Sequence, residues 1–384
     1  MTSEWRTIRA ADFIDFNPRL SLKKGDIATK VAMDKLKPFT KKIPETEKAE
    51  FNGGAKFCNG DTVMARITPC LENGKTAYVD MLDDGEIGFG STEFIVMRAK
   101  TGISDPQFVY YTAINPVFRN VAIKSMVGSS GRQRVQQSVL EELELSVPDL
   151  DEQRRIGDFL ARIDEKIALN DRINDNLADL LQTIYQGRFG NDILAVNQGV
   201  LSDICSYSTD KVAVSELNVR TYFSTENMLS GKAGSTEATS LPTTSQTTAC
   251  HKGDTLISNI RPYFKKIVYC EGNCGCSTDV LCFTPSQPRY STYLFSTLYA
   301  DKFFAFMVAG SKGTKMPRGD KQQIMTYPVV LPSEEELAGF NTIASPLLEQ
   351  IYSNRAENKR LSILRDTLLP KLMSGEINVS AIQL

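Results

Sequence analysis

A chain of 384 residues with 41% hydrophobic and 23% charged residues has room for two or three domains and the composition of an ordinary globular protein. Its formal net charge of −2 at pH 7 disfavours a free-standing nucleic-acid-binding domain, because such domains carry a clear excess of basic residues. The sequence contains no apolar run of the roughly 18 residues that a membrane span needs and no basic-then-apolar start, so we expect a cytoplasmic protein without membrane contact.

Residues 1–148 are predicted to form a first compact α/β domain. Short β-like runs stand at TVMARI, TAYV and FIVM. After the last of these runs, a helix is expected to begin at Asp105-Pro106, because an Asp side chain can accept hydrogen bonds from free amides and Pro fits the first helical turn. This mixture of short strands and a capped helix is typical of a small α/β domain.

A single long helix is predicted next, over residues 149–190. Asp149 and Glu152 form a start that resembles a capping box, and the apolar positions then alternate by four and three residues. This spacing is typical of a coiled-coil seam, in which Asn170 and Asn174 are polar interruptions. At about 1.5 Å per residue the helix would be roughly 50 Å long, which suits a spacer between two domains.

The second half of the chain repeats this order, with a second α/β domain at 191–332 and a second spacer helix region at 333–384. Gly-Asp-Thr, a Ser-Thr-acid triplet and a GSxG loop return at offsets of 193, 186 and 182 residues. From Pro148 onward the offset stays at 184, with nine identities in 36 positions, where average residue usage gives about two. The chain is therefore a tandem duplication, and Gly-Asp-Thr is expected to set a turn and a strand entry.

The second long helix is expected to begin at Ser333 and to break near Pro346, because proline lacks the amide hydrogen that a helix interior needs. Beyond that point the same seam continues. Arg365 is a deviation from it, since this charged residue takes a seam position.

The asparagines predict how the two helices pair. A seam tolerates Asn where it can hydrogen-bond to another Asn. Asn170 with Asn358, and Asn174 with Asn354, share the residue-number sum 528, and a constant sum is the mark of antiparallel contact. The predicted fold class is α+β: a tandem duplication of a globular α/β domain followed by a long helix, with the two helices pairing as an antiparallel coiled coil.

Reactive side chains in catalytic patterns are scarce in this sequence. His251 is the single histidine, which excludes a His-based triad and a two-His metal site. Gly74-Lys75-Thr76 resembles the end of a phosphate-binding loop, but Pro69 stands where that loop needs its first Gly. We therefore expect a chain that is not catalytic by itself.

The eight cysteines are irregularly spaced, which fits a reducing compartment. Cys270, Cys274, Cys276 and Cys282 raise the question of zinc, but C-x3-C-x-C is not a common tetrahedral pattern. Small buried thiols on a pair of strands are the favoured alternative, and no metal is assigned.

The order of two variable α/β domains, each with a loop of the type GSSGRQRV before a strand that ends in Pro and a long helix, resembles the DNA specificity subunits of Type I restriction-modification systems. The resemblance covers nearly the whole chain. It implies two target recognition domains, each reading one half of a bipartite, asymmetric DNA site, and two helices that act as a molecular ruler. It also implies that the chain binds double-stranded DNA and two methyltransferase subunits, with restriction or translocase subunits as further partners.

The same resemblance assigns the chemistry to those partners. No cofactor is expected in this chain, and S-adenosylmethionine, ATP and Mg²⁺ are expected on the partner subunits. The alternative is a pseudo-symmetric scaffold that joins two protein subunits without binding DNA. Such a scaffold would not explain why loops rich in Arg, Lys, Gly and Ser occur at the same place in both copies. A fused restriction and methylation enzyme is disfavoured because catalytic motifs are missing.

Basic side chains cluster in segments that contain Gly or Pro, where a solvated loop and a phosphate site are both compatible with the pattern. The residues expected to bind DNA are Lys41, Lys42, Arg66, Ser129, Arg132, Arg134, Arg261, Lys265, Lys266, Lys312, Lys315 and Arg318. The residues expected to set the helix-helix register are Asn170, Asn174, Asn354 and Asn358.

Overall fold

The structure is a computed structural model that describes residues 5–129, 131–190 and 197–382. It forms two compact units. The first takes the residues up to Asn170 together with those from Ala356 onward, and the second takes Asp171–Arg355. Each unit therefore combines a globular domain with one part of each of two long helices.

The first unit contains short strands and helices followed by the beginning of a long helix. Its strands are β1 (Arg6–Arg9), β2 (Ile14–Phe16), β3 (Ile27–Val31), β4 (Glu47–Glu50), β5 (Ala55–Phe57), β6 (Thr62–Ala65), β7 (Thr76–Tyr78), β8 (Gly88–Gly90), β9 (Phe94–Ala99) and β10 (Glu144–Val147). Its helices are α1 (Ala10–Phe13), α2 (Pro106–Ile114), α3 (Pro116–Lys124), α4 (Gln137–Glu141) and the first part of α5 (Leu150–Phe189).

The second unit repeats this arrangement. Its strands are β11 (Gln198–Val200), β12 (Cys205–Tyr207), β13 (Lys211–Ala213), β14 (Tyr222–Phe223), β15 (Gln246–Cys250), β16 (Thr255–Ser258), β17 (Ile267–Tyr269), β18 (Cys274–Cys276), β19 (Val280–Pro285) and β20 (Pro328–Val330). Its helices are α6 (Leu201–Ile204), α7 (Ser291–Tyr299), α8 (Asp301–Ala309), α9 (Lys321–Met325) and the first part of α10 (Glu334–Met373).

The sheets show the duplication directly. The first unit has an antiparallel sheet in the order β2-β9-β6-β7, and the second has β12-β19-β16-β17 in the same order and direction. A second four-stranded sheet in each unit is mixed, with order β4-β3-β8-β5 in the first and β13-β15-β18-β14 in the second. A two-stranded pairing, β1-β10 or β11-β20, leads into each long helix.

Local capping explains where the main helices begin. The Asp105 carboxylate accepts a hydrogen bond from the Phe108 amide at 3.0 Å, and Pro106 takes the first turn of α2, as predicted. Asp149 accepts from the Glu152 amide at 2.9 Å at the start of α5. Ser333 accepts from the Glu336 amide at 3.2 Å at the start of α10.

The expected break at Pro346 was wrong. Helix α10 continues through this residue to Met373. Pro346 and Thr342 both lie on the exposed face, so the Thr342 carbonyl that loses its helical partner can be hydrated. The opposite face keeps the helix in place, because Ala344 and Leu348 are buried in the hydrophobic core of the second unit.

The long helices pack against each other in an antiparallel direction, which confirms the predicted fold class. In the first unit, Asn170 Nδ2 donates to Asn358 Oδ1 at 2.8 Å, and Asn358 Nδ2 donates to the Ile167 carbonyl at 3.2 Å. In the second unit, Asn354 Nδ2 donates to Asn174 Oδ1 at 2.9 Å. These are the two pairs with the residue-number sum 528, and hydrogen bonding satisfies amides that would be costly to bury alone.

The seam position of Arg365 also has a structural reason. Its guanidinium Nη1 lies 2.6 Å from Asp164 Oδ1, and both side chains are almost fully buried in the first unit. The other oxygen of Asp164 accepts from the Tyr111 hydroxyl at 2.6 Å. A buried ion pair between the two helices is thus bonded to helix α2 of the globular domain.

Candidate nucleic-acid interface

In the first unit, a loop at residues 127–134 closes against the chain that follows β6; we call it the first loop. Its ends are joined by hydrogen bonds between the backbones of Val127 and Arg134, at 2.9 and 3.0 Å. The amide of Thr68 donates to the Gln133 carbonyl at 3.0 Å. Ser130, within the GSSG segment, lies outside the described residues.

The second unit has the equivalent second loop at residues 312–318. The backbones of Lys312 and Arg318 exchange two hydrogen bonds of 2.9 Å, and the Arg261 amide donates to the Pro317 carbonyl at 2.7 Å. The two GSxG segments therefore belong to the same structural feature in both copies.

An ion pair ties each loop to the repeated Ser-Thr-acid triplet. Arg134 Nη2 lies 2.6 Å from Glu93 Oε1, and its Nε lies 2.9 Å from Glu93 Oε2. Arg318 Nη2 lies 3.0 Å from Asp279 Oδ1. The guanidinium of Arg134 lowers the pKa of the Glu93 carboxyl below its ordinary value. Arg134 and Arg318 therefore anchor their loops, and their charges are partly neutralised.

This anchoring role was missed from the sequence, where Arg134 and Arg318 were expected only to bind DNA. They are 184 residues apart, the same offset that relates the two long helices. Together with the repeated acids at Glu93 and Asp279, that spacing was a signal that the two arginines are equivalent.

The structure corrects the assignment of Lys41 as a DNA-binding residue. Its side chain is buried, with 5% of the residue exposed. The ammonium hydrogen-bonds to Gln107 and to the Tyr111 hydroxyl, and it lies within 5.4 Å of the ring centres of Tyr78, Tyr110 and Tyr111. Lys41 is held inside the first domain and cannot reach a phosphate without leaving this site.

Several other predicted cations are exposed or half-buried and already hold partners. Lys42 pairs with Asp80, Lys265 with Asp301 at 2.8 Å and Lys312 with Asp320 at 2.6 Å. Lys266 Nζ donates to the Thr225 carbonyl at 2.5 Å, and burial lowers its pKa. Exposed ion pairs of this kind are weak, so the paired lysines can exchange partners.

Arg66 and Arg261 are half-buried at the base of the loops. Arg66 Nη2 donates to the Val135 carbonyl at 3.4 Å, and Arg261 Nη2 donates to the Lys315 carbonyl at 3.5 Å. Their Nε atoms are buried without a hydrogen-bond partner among the residues that the structure describes. Both side chains support a loop backbone from beneath.

The loop tips carry the most accessible predicted residues. Ser129, Arg132 and Lys315 are exposed. Across the described ranges, no carboxylate pairs with the side chain of Arg132 or Lys315. The structure thus brings Arg66, Arg132 and Arg134 to the first loop, while Lys41 and Lys42 are held by other segments.

The Gly-Asp-Thr segments form a turn and a strand entry, as expected. Gly60 and Gly253 have φ angles of +91° and +95°, a conformation that favours glycine. Asp61 accepts from the Cys58 amide at 2.8 Å, and Asp254 accepts from the His251 amide at 2.7 Å. Both carboxylates are buried, so they organise the turn and are not available to DNA.

The cysteines in question lie inside the second unit. Cys250, Cys270, Cys274, Cys276 and Cys282 belong to one buried cluster with apolar side chains, and Cys270 Sγ lies 3.5 Å from Cys274 Sγ. Within the described ranges, no group of three or more His, Cys, Asp or Glu side chains is arranged to hold a metal ion.

Among the helices of the described residues, none has both the length and the apolar character needed to cross a membrane.

Comparison with known proteins agrees with this architecture. The solved structure of a Type I restriction-modification system S subunit from M. genitalium matches with a TM-score of 0.58 and 17% identity, over 96% of each chain. At that identity the match shows the fold.

Curated sequences give the closer similarities. The Type I restriction enzyme EcoAI specificity subunit of Escherichia coli is 35% identical over 121 residues, which are 32% of this chain and 20% of that protein. The HindI specificity subunit of Haemophilus influenzae is 28% identical over 159 residues, which are 40% of this chain and 33% of that protein. The matches thus span a fifth to a third of these relatives' own length.

The family comparison covers the first globular domain and most of the first long helix. Residues 3–178 match the sequence model described as the Type I restriction modification DNA specificity domain. This match agrees with the resemblance seen in the sequence: residues 3–178 are similar to the Type I restriction modification DNA specificity domain.

Proposed function

We propose that this chain is the sequence-specific DNA-binding subunit of a Type I restriction-modification complex. Each unit reads one half of a bipartite, asymmetric DNA site, and the paired helices set the distance between the halves. The chain directs adenine methylation or restriction by partner subunits and catalyses neither reaction. It acts in the compartment that contains the DNA.

The observation that carries this proposal is a common backbone frame that presents unlike side chains. Arg66 and Asn259 occupy equivalent places, since their amides donate to the carbonyls of Glu93 and Asp279 at 2.9 and 2.8 Å. The loops beside them read GSSGRQR in one unit and GSKGTKMPR in the other. A repeated frame keeps each domain in the same orientation, and different side chains allow different bases to be read.

The proposal assigns partners by the same logic. Double-stranded DNA binds the loop surfaces, and two methyltransferase subunits bind the duplicated frame, which offers the same site twice. Restriction or translocase subunits join this assembly. S-adenosylmethionine, ATP and Mg²⁺ belong to those partners, and this chain holds no cofactor.

The decisive experiment is to express this chain with its cognate methyltransferase subunit in a host free of other methylation and to map modified bases in the genome. Adenine methylation is expected in a two-part motif with an unspecified spacer. The two halves should lie about one helical turn, roughly 34 Å, apart, because both are read from one face of the duplex.

A control strain carries the methyltransferase without this chain and should show no such motif. A continuous or strictly palindromic motif would contradict the proposal. Assembly with the methyltransferase but no effect of this chain on DNA binding would favour the scaffold that only joins two protein subunits.

A further inference from the structure

A short helical turn in the second unit presents two aromatic side chains to solvent. It spans Pro262–Phe264, next to the second loop. Tyr263 is 49% exposed and Phe264 is 39% exposed, and their ring centres are 4.7 Å apart. Two adjacent exposed aromatic rings are unusual on a protein surface and indicate a binding surface.

Backbone hydrogen bonds hold this turn in place from both sides. The Arg261 amide donates to Pro317 of the second loop at 2.7 Å, and the Gly231 amide donates to the Phe264 carbonyl at 2.8 Å. Arg261 and Lys265, which flank the turn, both have φ angles of +50°. Non-glycine residues keep this left-handed conformation where surrounding contacts enforce it. The aromatic pair is therefore presented rigidly.

The turn that carries the aromatic pair is joined to the cationic second loop. Arg261 and Lys266 flank the turn in sequence, and the side chain of Arg261 donates to the Lys315 carbonyl in the second loop. Among the residues that the structure describes, no carboxylate pairs with Arg261, Lys266 or Lys315. Met316, beside Lys315, is 50% exposed and adds to the apolar surface. An exposed apolar surface beside an unpaired cation is suited to duplex DNA, whose grooves present base edges and thymine methyl groups next to phosphates.

The first unit lacks this surface. At the offset of 193 residues that relates the two Gly-Asp-Thr segments, Cys70 and Leu71 stand in the places of Tyr263 and Phe264. Leu71 is fully buried. Two identical protein partners would be expected to contact surfaces present in both units, whereas a contact with one unlike half-site needs residues present in only one.

We propose that the Pro262–Phe264 turn is a specificity-determining DNA contact of the second unit. Tyr263 and Phe264 contact base edges of the half-site that this unit reads, and the exposed Lys315 binds an adjacent phosphate. This inference rests on the proposed function and adds to it the residues that distinguish one half-site from the other.

The test uses the full chain assembled with its methyltransferase subunit. The variant Tyr263→Ala/Phe264→Ala is compared with Val117→Ala, an exposed apolar residue on α3 of the first unit. The double variant should weaken binding to the cognate site by roughly tenfold or more, the effect of losing the readout of one base pair in a duplex. Base preference should relax in one half of the motif only, while Val117→Ala changes neither quantity. The single variant Tyr263→Ala, at the more exposed position, guards against a folding defect.

Unchanged affinity and an unchanged motif in both aromatic variants would overturn the inference while leaving the proposed function in place. Lost co-purification with the methyltransferase, with base preference retained, would also overturn it, because the turn would then be a protein-binding surface. If the unaltered chain directs no bipartite methylation, the proposed function itself fails.

Discussion

Burial lowers the pKa of the Lys41 ammonium to about 8, because the loss of hydration disfavours the charged form. The ordinary pKa of lysine is about 10.4, so between these values the unfolded chain binds more protons than the folded chain. The contribution of Lys41 to stability must therefore rise with pH through this window and remain low below it.

Replacing Lys41 with Met should remove this pH dependence. The free energy of unfolding of the native chain, measured relative to Lys41→Met by urea denaturation, should rise by about 2 kcal/mol between pH 7 and pH 9.5. Lys42→Met is the matched control, because Lys42 is exposed and pairs with Asp80 at the surface. DNA affinity should be unchanged in Lys41→Met, and a large loss would restore Lys41 as a DNA contact.

The two arginines of the first loop should behave differently. Arg132→Ala is expected to weaken DNA binding and to lower the salt slope of binding by about one unit, the effect of one lost phosphate contact, with no change in thermal stability. Arg134→Ala should instead loosen the loop and raise the pKa of Glu93 toward its ordinary value, since the ion pair is lost. Salt titrations of DNA binding and NMR titration of Glu93 would separate these effects; a reduced slope in Arg134→Ala alone would reverse the two roles.

At the scale of elements, the two halves of the helix pair differ in one layer. Asp164 and Arg365 form an ion pair at 2.6 Å in the first unit. Leu181 and Leu348, which share the residue-number sum 529 with that pair, are buried in the core of the second unit. The same layer of a duplicated helix pair is thus charged in one unit and apolar in the other.

This difference predicts the outcome of a double-mutant cycle. Arg365→Leu should destabilise the chain by about 3–5 kcal/mol, because it leaves Asp164 buried without a counter-charge. The double variant Asp164→Leu/Arg365→Leu, which copies the apolar layer, should recover most of that loss. Urea denaturation of the native chain, both single variants and the double variant measures the coupling. A double variant as unstable as Arg365→Leu would show that leaving the Tyr111 hydroxyl without its Asp164 acceptor costs as much as the missing counter-charge.

At the scale of the whole molecule, the duplication places the two candidate reading surfaces in different units. Each unit has its own hydrophobic core, and the first loop and the Pro262–Phe264 turn belong to different units. The side chains of Arg132, Tyr263 and Phe264 have no common hydrogen-bond or ion-pair partner among the described residues, so the effects of replacing them should be independent.

Combining Arg132→Ala with Tyr263→Ala/Phe264→Ala should therefore change the binding free energy by the sum of the separate changes, within about 0.5 kcal/mol. Each component should alter its own half of the methylated motif. Fluorescence anisotropy with the cognate duplex and sequencing of modified bases provide the two measurements. Strong non-additivity would indicate that the two units do not read their half-sites independently.

The sequence by itself determined the duplication, the long helices and their antiparallel register. These features are periodic or repeated along the chain, so they can be predicted from residue spacing alone. The signals were the coiled-coil seam, the caps at Asp149 and Ser333, and the constant residue-number sum of the asparagine pairs. The Gly-Asp-Thr turns were likewise local enough to be predicted from residue type.

Only the tertiary structure decided what each charged residue does. Lys41 is buried because tyrosines from distant segments enclose it, and Arg134 anchors its loop because Glu93, 41 residues away, faces it. The partner of Arg365 is 201 residues away. Pro346 stays inside a helix because it lies on the exposed face, while the opposite face is packed into the core of the second unit. Charge and helix continuity depend on neighbours that no local pattern specifies, and residue type therefore predicted the candidate loops but not which of their cations remain free to meet DNA.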